Sequence, residues 1–243
     1  MNFKRKKSSL KVLTVAALSS LLMFTGGNSK SYAEETDVAA EKFNMPAFEQ
    51  LMNEIEQGII KNETQGLERF EELEKTVPNE NNKNNNVLYS WNVETALKNA
   101  KEAAACSKVI GTYKCGVAGV SSRTALSTAR SYYAGESLSD GLGDAFRHSY
   151  WNALMSREIG VANAKFVGDL HEDFNWGGQK RYDMDSYNNM KGRDMYQWRV
   201  HNGWATNNLS MINNLREDIR SGLLKHISYS YSPEGSLFWT NQH

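Results

Sequence analysis

The chain has 243 residues, with 28 Lys and Arg balanced by 28 Asp and Glu, and two cysteines. That length is enough for one domain with a real core and an additional segment. A formal net charge of zero excludes a protein that clings to nucleic acid through bulk positive charge, although it leaves room for an enzyme that meets a polyanion at a small local site.

At the N-terminus Lys4, Arg5, Lys6, Lys7 and Lys11 precede an apolar run from Val12 to Phe24, then Gly26, Gly27 and the small-residue pattern Ser31-Tyr32-Ala33. A basic head, a short apolar core and a small-x-small site mark a secretory signal peptide. The run falls short of the roughly 20 residues that span a bilayer. Residues 1–33 are therefore expected to be removed, with an uncleaved anchor as the alternative. Removal takes away six basic residues and no acidic one, leaving a mature chain from Glu34 with a net charge of −6 and no further stretch apolar enough to be a transmembrane segment. The expected location is outside a bacterial cytoplasm, extracellular or cell-wall associated. There the close pair Cys106 and Cys115 is expected to form a disulfide, with a catalytic cysteine as the alternative.

Glu34 to Glu80 holds 13 of the 28 acidic residues. Within residues 34–77, Phe48, Leu51, Met52, Ile55, Ile59 and Ile60 recur at helical spacing, as do Leu67, Phe70, Leu73 and Val77, which predicts two acidic helices, or one broken at Gly66, ended by Pro78. Residues 78–86 are mostly Asn and read as a linker. The acidic helices then form either a separate appendage or a layer packed on the main domain. Residues 87–243 make up that domain. Helices are expected over Trp91 to Ala105, Arg123 to Tyr133, Leu142 to Ile159, Val161 to Asp173, Asp185 to Val200 and Leu209 to Leu224. Gly111 to Gly119 reads as a turn around the cysteines, and Phe174 to Tyr182 as a polar loop. The aromatic tail from Ser228 to His243 either pairs as short strands or packs as a loop. Period-two alternation is scarce, so the expected fold class is mainly α.

Three segments carry the chemistry: Asp144-Ala-Phe-Arg-His-Ser-Tyr-Trp-Asn152, Gly168-Asp-Leu-His-Glu-Asp173 and Asp185-Ser-Tyr-Asn-Asn-Met-Lys-Gly-Arg193. On the first, Asp144, His148, Trp151, Asn152 and Met155 share one side of a helix while Phe146, Tyr150 and Leu154 fill the other. A helix apolar nearly all round is a buried one. Asp144 and His148, one turn apart, must then bond each other, a third group or a metal, because burying them unpaired is costly. In the second, Gly168 leaves room for a helix to approach His171, and Glu172 and Asp173 add carboxylates. Asn175 stands four positions after His171, so this is not the HExxH zinc motif. In the third, Asp185 is either a ligand or an N-cap. Asn188 and Asn189 are poor interior helix residues and imply specific hydrogen bonds.

Two His and several carboxylates from three helices suit one divalent-metal site built inside a helical bundle. The expected ligands are His148, His171 and Asp185, and the expected ion is zinc or manganese before calcium. His148, Asp144 and Glu172 are the candidate catalytic residues. Arg147, Trp151, Asn152, Asn188, Asn189 and Arg193 are the candidate substrate contacts, with the two Arg suited to an anion. His148 oriented by Asp144 as a metal-free base is a second option, and a satisfied Asp–His core pair a third. The set Asp-x-x-Arg-His-x-x-Trp-Asn, His-Glu, Asp-x-x-Asn-Asn-x-x-Gly-Arg resembles a little-characterised family of exported bacterial domains that also occur as C-terminal domains of polymorphic toxins. That resemblance implies a shared site, and a toxin context implies hydrolysis of a phosphodiester, a lipid or a cell-envelope component. Arg147 to Asn152 is also similar to the Arg-His-Asp helix of small secreted bacterial phospholipases A2. Ser149 replaces the calcium-binding Asp there, which removes the basis for calcium chemistry. The expected protein is a secreted, metal-assisted hydrolase of an anionic substrate. The alternative is a non-enzymatic secreted module with a buried Asp–His network and an aromatic patch drawn from Trp176, Trp198, Trp204, Phe238 and Trp239.

Overall fold

A computed structural model describes residues 43–79, 100–230 and 232–242. The signal-peptide expectation, most of the Asn-rich linker and the first part of the helix expected from Trp91 lie outside them. The fold is mainly α, with eight α-helices among the described residues and one small antiparallel hairpin near the C-terminal end.

The two acidic helices are α1 (Met45–Glu56) and α2 (Glu63–Thr76). Each starts on an Asn cap: the Asn44 side chain accepts from the Ala47 N–H at 3.1 Å, and Asn62 accepts from Gln65 at 3.0 Å. Most of their apolar residues face inward, although Leu67 of α2 and Ile59 just beyond α1 are exposed. Phe48, Leu51, Met52, Phe70 and Leu73 are buried in the same core as the rest of the protein. Arg69 ties α2 to α1 by two 2.7 Å bonds to Glu54.

Next come α3 (Ala100–Ile110) and α4 (Thr112–Tyr132), joined at Gly111 with φ +88°. The stretch 111–119, expected as a turn, is helical from Thr112 onward. Its glycines are contact points rather than breaks: a Cβ on Gly116 would fall 2.6 Å from Ile55 Cδ1, and one on Gly66 of α2 would fall 2.7 Å from Tyr113 Cβ. Small residues here let α1 and α2 lie close on α4. Cys106 and Cys115 are disulfide-bonded, their Cα atoms 5.9 Å apart, pinning the last turns of α3 to the first of α4.

A short 3-10 turn (Gly135–Leu138) leads to α5 (Leu142–Ile159), α6 (Val161–Phe174), α7 (Gln179–His201) and α8 (Asn208–Arg220). As its pattern predicts, α5 is interior, with 14 of its 18 residues buried. It packs against α4, α6, α7 and α8. The crossing with α7 is backbone against backbone: a Cβ on Gly192 would stand 1.9 Å from the Ser149 carbonyl oxygen. The aromatic tail pairs as strands β1 (Lys225–Ser228) and β2 (Ser236–Trp239), with His226 opposite Phe238. β1 is clamped to α7 by one amide, because Asn188 Nδ2 donates to the Lys225 carbonyl at 2.9 Å and its Oδ1 accepts the Lys225 N–H at 3.0 Å. None of the described helices is long and apolar enough to cross a membrane.

Candidate metal centre

The three motif segments fall on α5, α6 and α7, and their side chains converge on His148, which is 1% exposed. Its two ring nitrogens face different surroundings. Nδ1 lies 3.4 Å from Glu172 Oε1 and 3.3 Å from Asn189 Oδ1. Nε2 lies 3.5 Å from Asp144 Oδ1 and 3.4 Å from Asp185 Oδ1. A carboxylate on Nδ1 holds the proton there and presents Nε2 as the donor atom, the arrangement found behind metal-bound histidines.

Asp144, His148 and Asp185 each offer one ligand atom, all within 4.8 Å of one another. Asp185 Oδ1 is buried and accepts no hydrogen bond, so a costly polar atom is aimed into the cluster without a neutral partner. Oxygen, imidazole and oxygen suit zinc or manganese. Asp185 is not a helix cap, since α7 begins at Gln179. The cap reading is corrected because Gly178, at φ +99°, starts the helix earlier than the polar loop suggests.

Arg147 enters the same space. Its Nη2 lies 2.5 Å from Asp144 Oδ1 and 2.7 Å from His148 Nε2. That 2.7 Å contact is a hydrogen bond when the imidazole is neutral and a cation–cation contact when it is protonated. Burial and the Arg147 charge push the His148 pKa down, but Asp185 and Glu172 outweigh them and lift it to about 9. Burial, with the Asp144 and Glu172 charges, pushes Asp185 up to about 7. Asp144 is held below the usual carboxylate range despite burial, through Arg147, His148 and the Asp140 N–H. Glu172 is lowered likewise by His148 and His171. The pocket thus draws two cations, Arg147 and the His148 imidazolium, into one set of acidic oxygens.

His171 belongs elsewhere. Its Nδ1 sits 3.1 Å from Glu102 Oε1, its ring centre 6.0 Å from that of His148, and Asp144 occupies the place expected for it beside the ligand atoms. The room at Gly168 is taken by Asn152, whose Oδ1 would be 3.0 Å from a Cβ there. Glu102 on α3 is fully buried and also accepts from Asn175 Nδ2 at 3.2 Å. Burial raises the Glu102 pKa, and Glu102 in turn raises that of His171 against its own burial. Glu102 was missed by sequence reasoning. It stands on an Ala-rich helix beside Lys101 with no motif around it, and only its pairing with Cys106 one turn on hints at an inward face.

Of the expected substrate contacts, Arg147 alone borders the ligand atoms. Trp151 is interior, donating from Nε1 to the Ala118 carbonyl at 2.9 Å. Asn152 receives Arg193 Nη1 at 2.6 Å and donates to Asn189 Oδ1 at 2.6 Å, and Asn189 donates to Glu172 Oε1 at 2.7 Å. Asn188 holds β1, as described above. These residues form a buried relay that fixes Glu172, and through it the His148 ring, rather than a surface for a substrate. Arg193 is desolvated, which lowers its pKa.

A helical domain with a buried histidine–carboxylate centre is thus the class of protein defined here. Residues 106–222 match the family model described as a domain of unknown function, DUF6973, in agreement with kinship to a little-characterised family. The match takes in α4 to α8 and every residue of the centre except Glu102. No curated protein and no solved structure matches the chain.

Proposed function

We propose that this chain is a secreted, metal-assisted hydrolase of an anionic substrate, with Asp144, His148 and Asp185 as the ligands. The observation that carries the reading is the buried, unbonded Asp185 Oδ1 facing His148 Nε2 and Asp144. A divalent ion held there would supply an activated water at neutral pH. The protein's own part is positioning. Glu172 and Asn189 fix the His148 ring. With an ion held by Asp144 and His148, Arg147 would be free to give a two-pronged grip to a phosphodiester, a lipid headgroup or another anionic envelope component. His171, held at Nδ1 by Glu102, keeps Nε2 for a proton. A toxin-like role outside the producing cell accords with the motif resemblance and the disulfide.

The test is elemental mass spectrometry of the purified mature protein beside His148→Ala and Asp185→Asn, followed by hydrolysis of bis(p-nitrophenyl) phosphate. Near-stoichiometric zinc or manganese in the wild type, lost from both folded variants together with hydrolysis, is the expected result. A wild type that stays metal-free after reloading with zinc and manganese would sink the reading. A second reading is then favoured by the near-complete burial of His148: a non-enzymatic module in which the same charges orient α5, α6 and α7.

A further inference from the structure

The centre on α5, α6 and α7 leaves the C-terminal half of α7 unexplained. Between it and α8 lies a cleft of about 800 Å³, within the range of roughly 300–1,000 Å³ typical of small-molecule sites. The α7 wall is Lys191, Asp194, Met195 and Trp198, and the α8 wall is Ser210, Asn213, Asn214 and Glu217. Both sets have the spacing of a single helical face, so each helix turns one continuous face to the cleft. Trp198 is 49% and Trp204 51% exposed, their ring centres 4.5 Å apart with planes at 73°. Two half-exposed indoles packed edge to face at one place mark a recognition surface. Trp204 is also braced from behind. Arg199 lies over Trp204 at 5.6 Å and is anchored by the Ala205 carbonyl at 2.7 Å and Asn214 Oδ1 at 2.9 Å.

The lining narrows the ligand. A strongly anionic molecule would meet Asp194, Glu217 and Asp218, and a strongly cationic one would meet Lys191 and the Arg199 guanidinium on the Trp204 face. A purely apolar ligand would strip water from the Asn, Ser and carboxylate groups and return no hydrogen bonds. A molecule with a flat C–H face and a rim of hydroxyls that both donate and accept avoids all three penalties. We propose that this cleft binds an uncharged saccharide, its C–H face against the Trp198 ring with Trp204 standing at an angle beside it, and its hydroxyls bonded to Asn213, Glu217 and Asp194. The site is separate from the metal centre and does not depend on the hydrolase reading.

The experiment uses the mature protein on an array of neutral and N-acetylated oligosaccharides, with the best binder then measured by isothermal titration calorimetry. Trp198→Ala, Trp204→Ala and Asn213→Ala, checked for fold by far-UV circular dichroism, are each expected to weaken binding by roughly tenfold or more. Asp185→Asn is expected to bind like the wild type. The Trp side chains are half exposed, so their loss leaves the core intact. Absence of any bound saccharide, unchanged affinity in both Trp variants, or binding of an unstructured peptide in place of sugar would overturn the proposal.

Discussion

Arg147 occupies Asp144 Oδ1 and His148 Nε2, so a divalent ion bound as proposed would compete with it for those two atoms. Arg147→Ala is therefore expected to tighten zinc binding, by tenfold or more, while abolishing any gain in affinity for an anionic substrate; competition with a fluorescent zinc chelator measures the first. Weaker zinc binding in that variant would show that the guanidinium supports the ligands instead of excluding the ion. The buried charges also set a pH profile. His148 binds its proton more tightly folded than unfolded, so its contribution is full below 6.5 and fades as pH rises through about 9. Ionising the interior Asp185 adds a cost between 3.8 and about 7. Asp144 and Glu172 have lowered values and act oppositely, losing their contribution as pH falls into the acid range. Without metal, the melting temperature is expected to be higher near pH 5.5 than near pH 9 by several degrees, and Asp185→Asn is expected to flatten the lower part of that fall. A profile rising toward pH 9 in chelator would contradict the assignment. Asp144 and His148 were legible in the sequence because polar groups inside an apolar helix need partners, whereas Asp185, on the polar helix α7, was open between ligand and N-cap. Which of two histidines joins the carboxylates was not, since spacing along α6 says nothing about Glu102 on α3.

At the level of the helix, the α5–α7 crossing depends on one absent side chain. Gly192→Ala places a methyl against the Ser149 carbonyl with no flexible group to yield. The expected loss is about 3 kcal/mol or more, read by urea denaturation. Gly135→Ala, with nothing within 4 Å of the new methyl, is the control and is expected to be nearly neutral. A tolerated Gly192→Ala would mean that the two helices are not in backbone contact. Apolar periodicity predicted α1 and α2 from sequence because each buries a stripe, and α5 was legible because it is apolar nearly all round. The start of α4 was hidden for the opposite reason: Gly116 and Gly119 look like breaks, and only the neighbouring Ile55 shows why a helix would carry a glycine there.

Across the whole molecule, the acidic helices and the disulfide act at the same place. α1 and α2 rest on α4, and Cys115 at the start of α4 is tied to Cys106 on the helix that carries Glu102. Closing so short a loop is expected to contribute about 2–3 kcal/mol. Replacing both cysteines by Ser should lower the unfolding free energy by that amount, measured by urea denaturation under oxidising conditions. No loss would mean that the α3–α4 corner is held by packing alone. Composition indicated that residues 34–77 are acidic and helical, but charge does not say whether a helix stands apart. The close packing of α1 and α2 on α4 rests on Ile55 and Tyr113 meeting glycines across the interface, which composition does not encode.

The amide clamp from Asn188 to Lys225, together with the 2.6 Å bond from the Ile227 N–H to the Asp140 carbonyl, has a consequence in time. Asp140 is the residue whose own N–H braces the Asp144 carboxylate. The pocket therefore cannot finish closing until residues 225–228 have left the ribosome and folded back onto α5 and α7. If the pocket takes up a metal as proposed, a chain that folds late would meet it in the compartment where folding ends, and the ions present there, more than the ligands' own preference, would decide which one is bound.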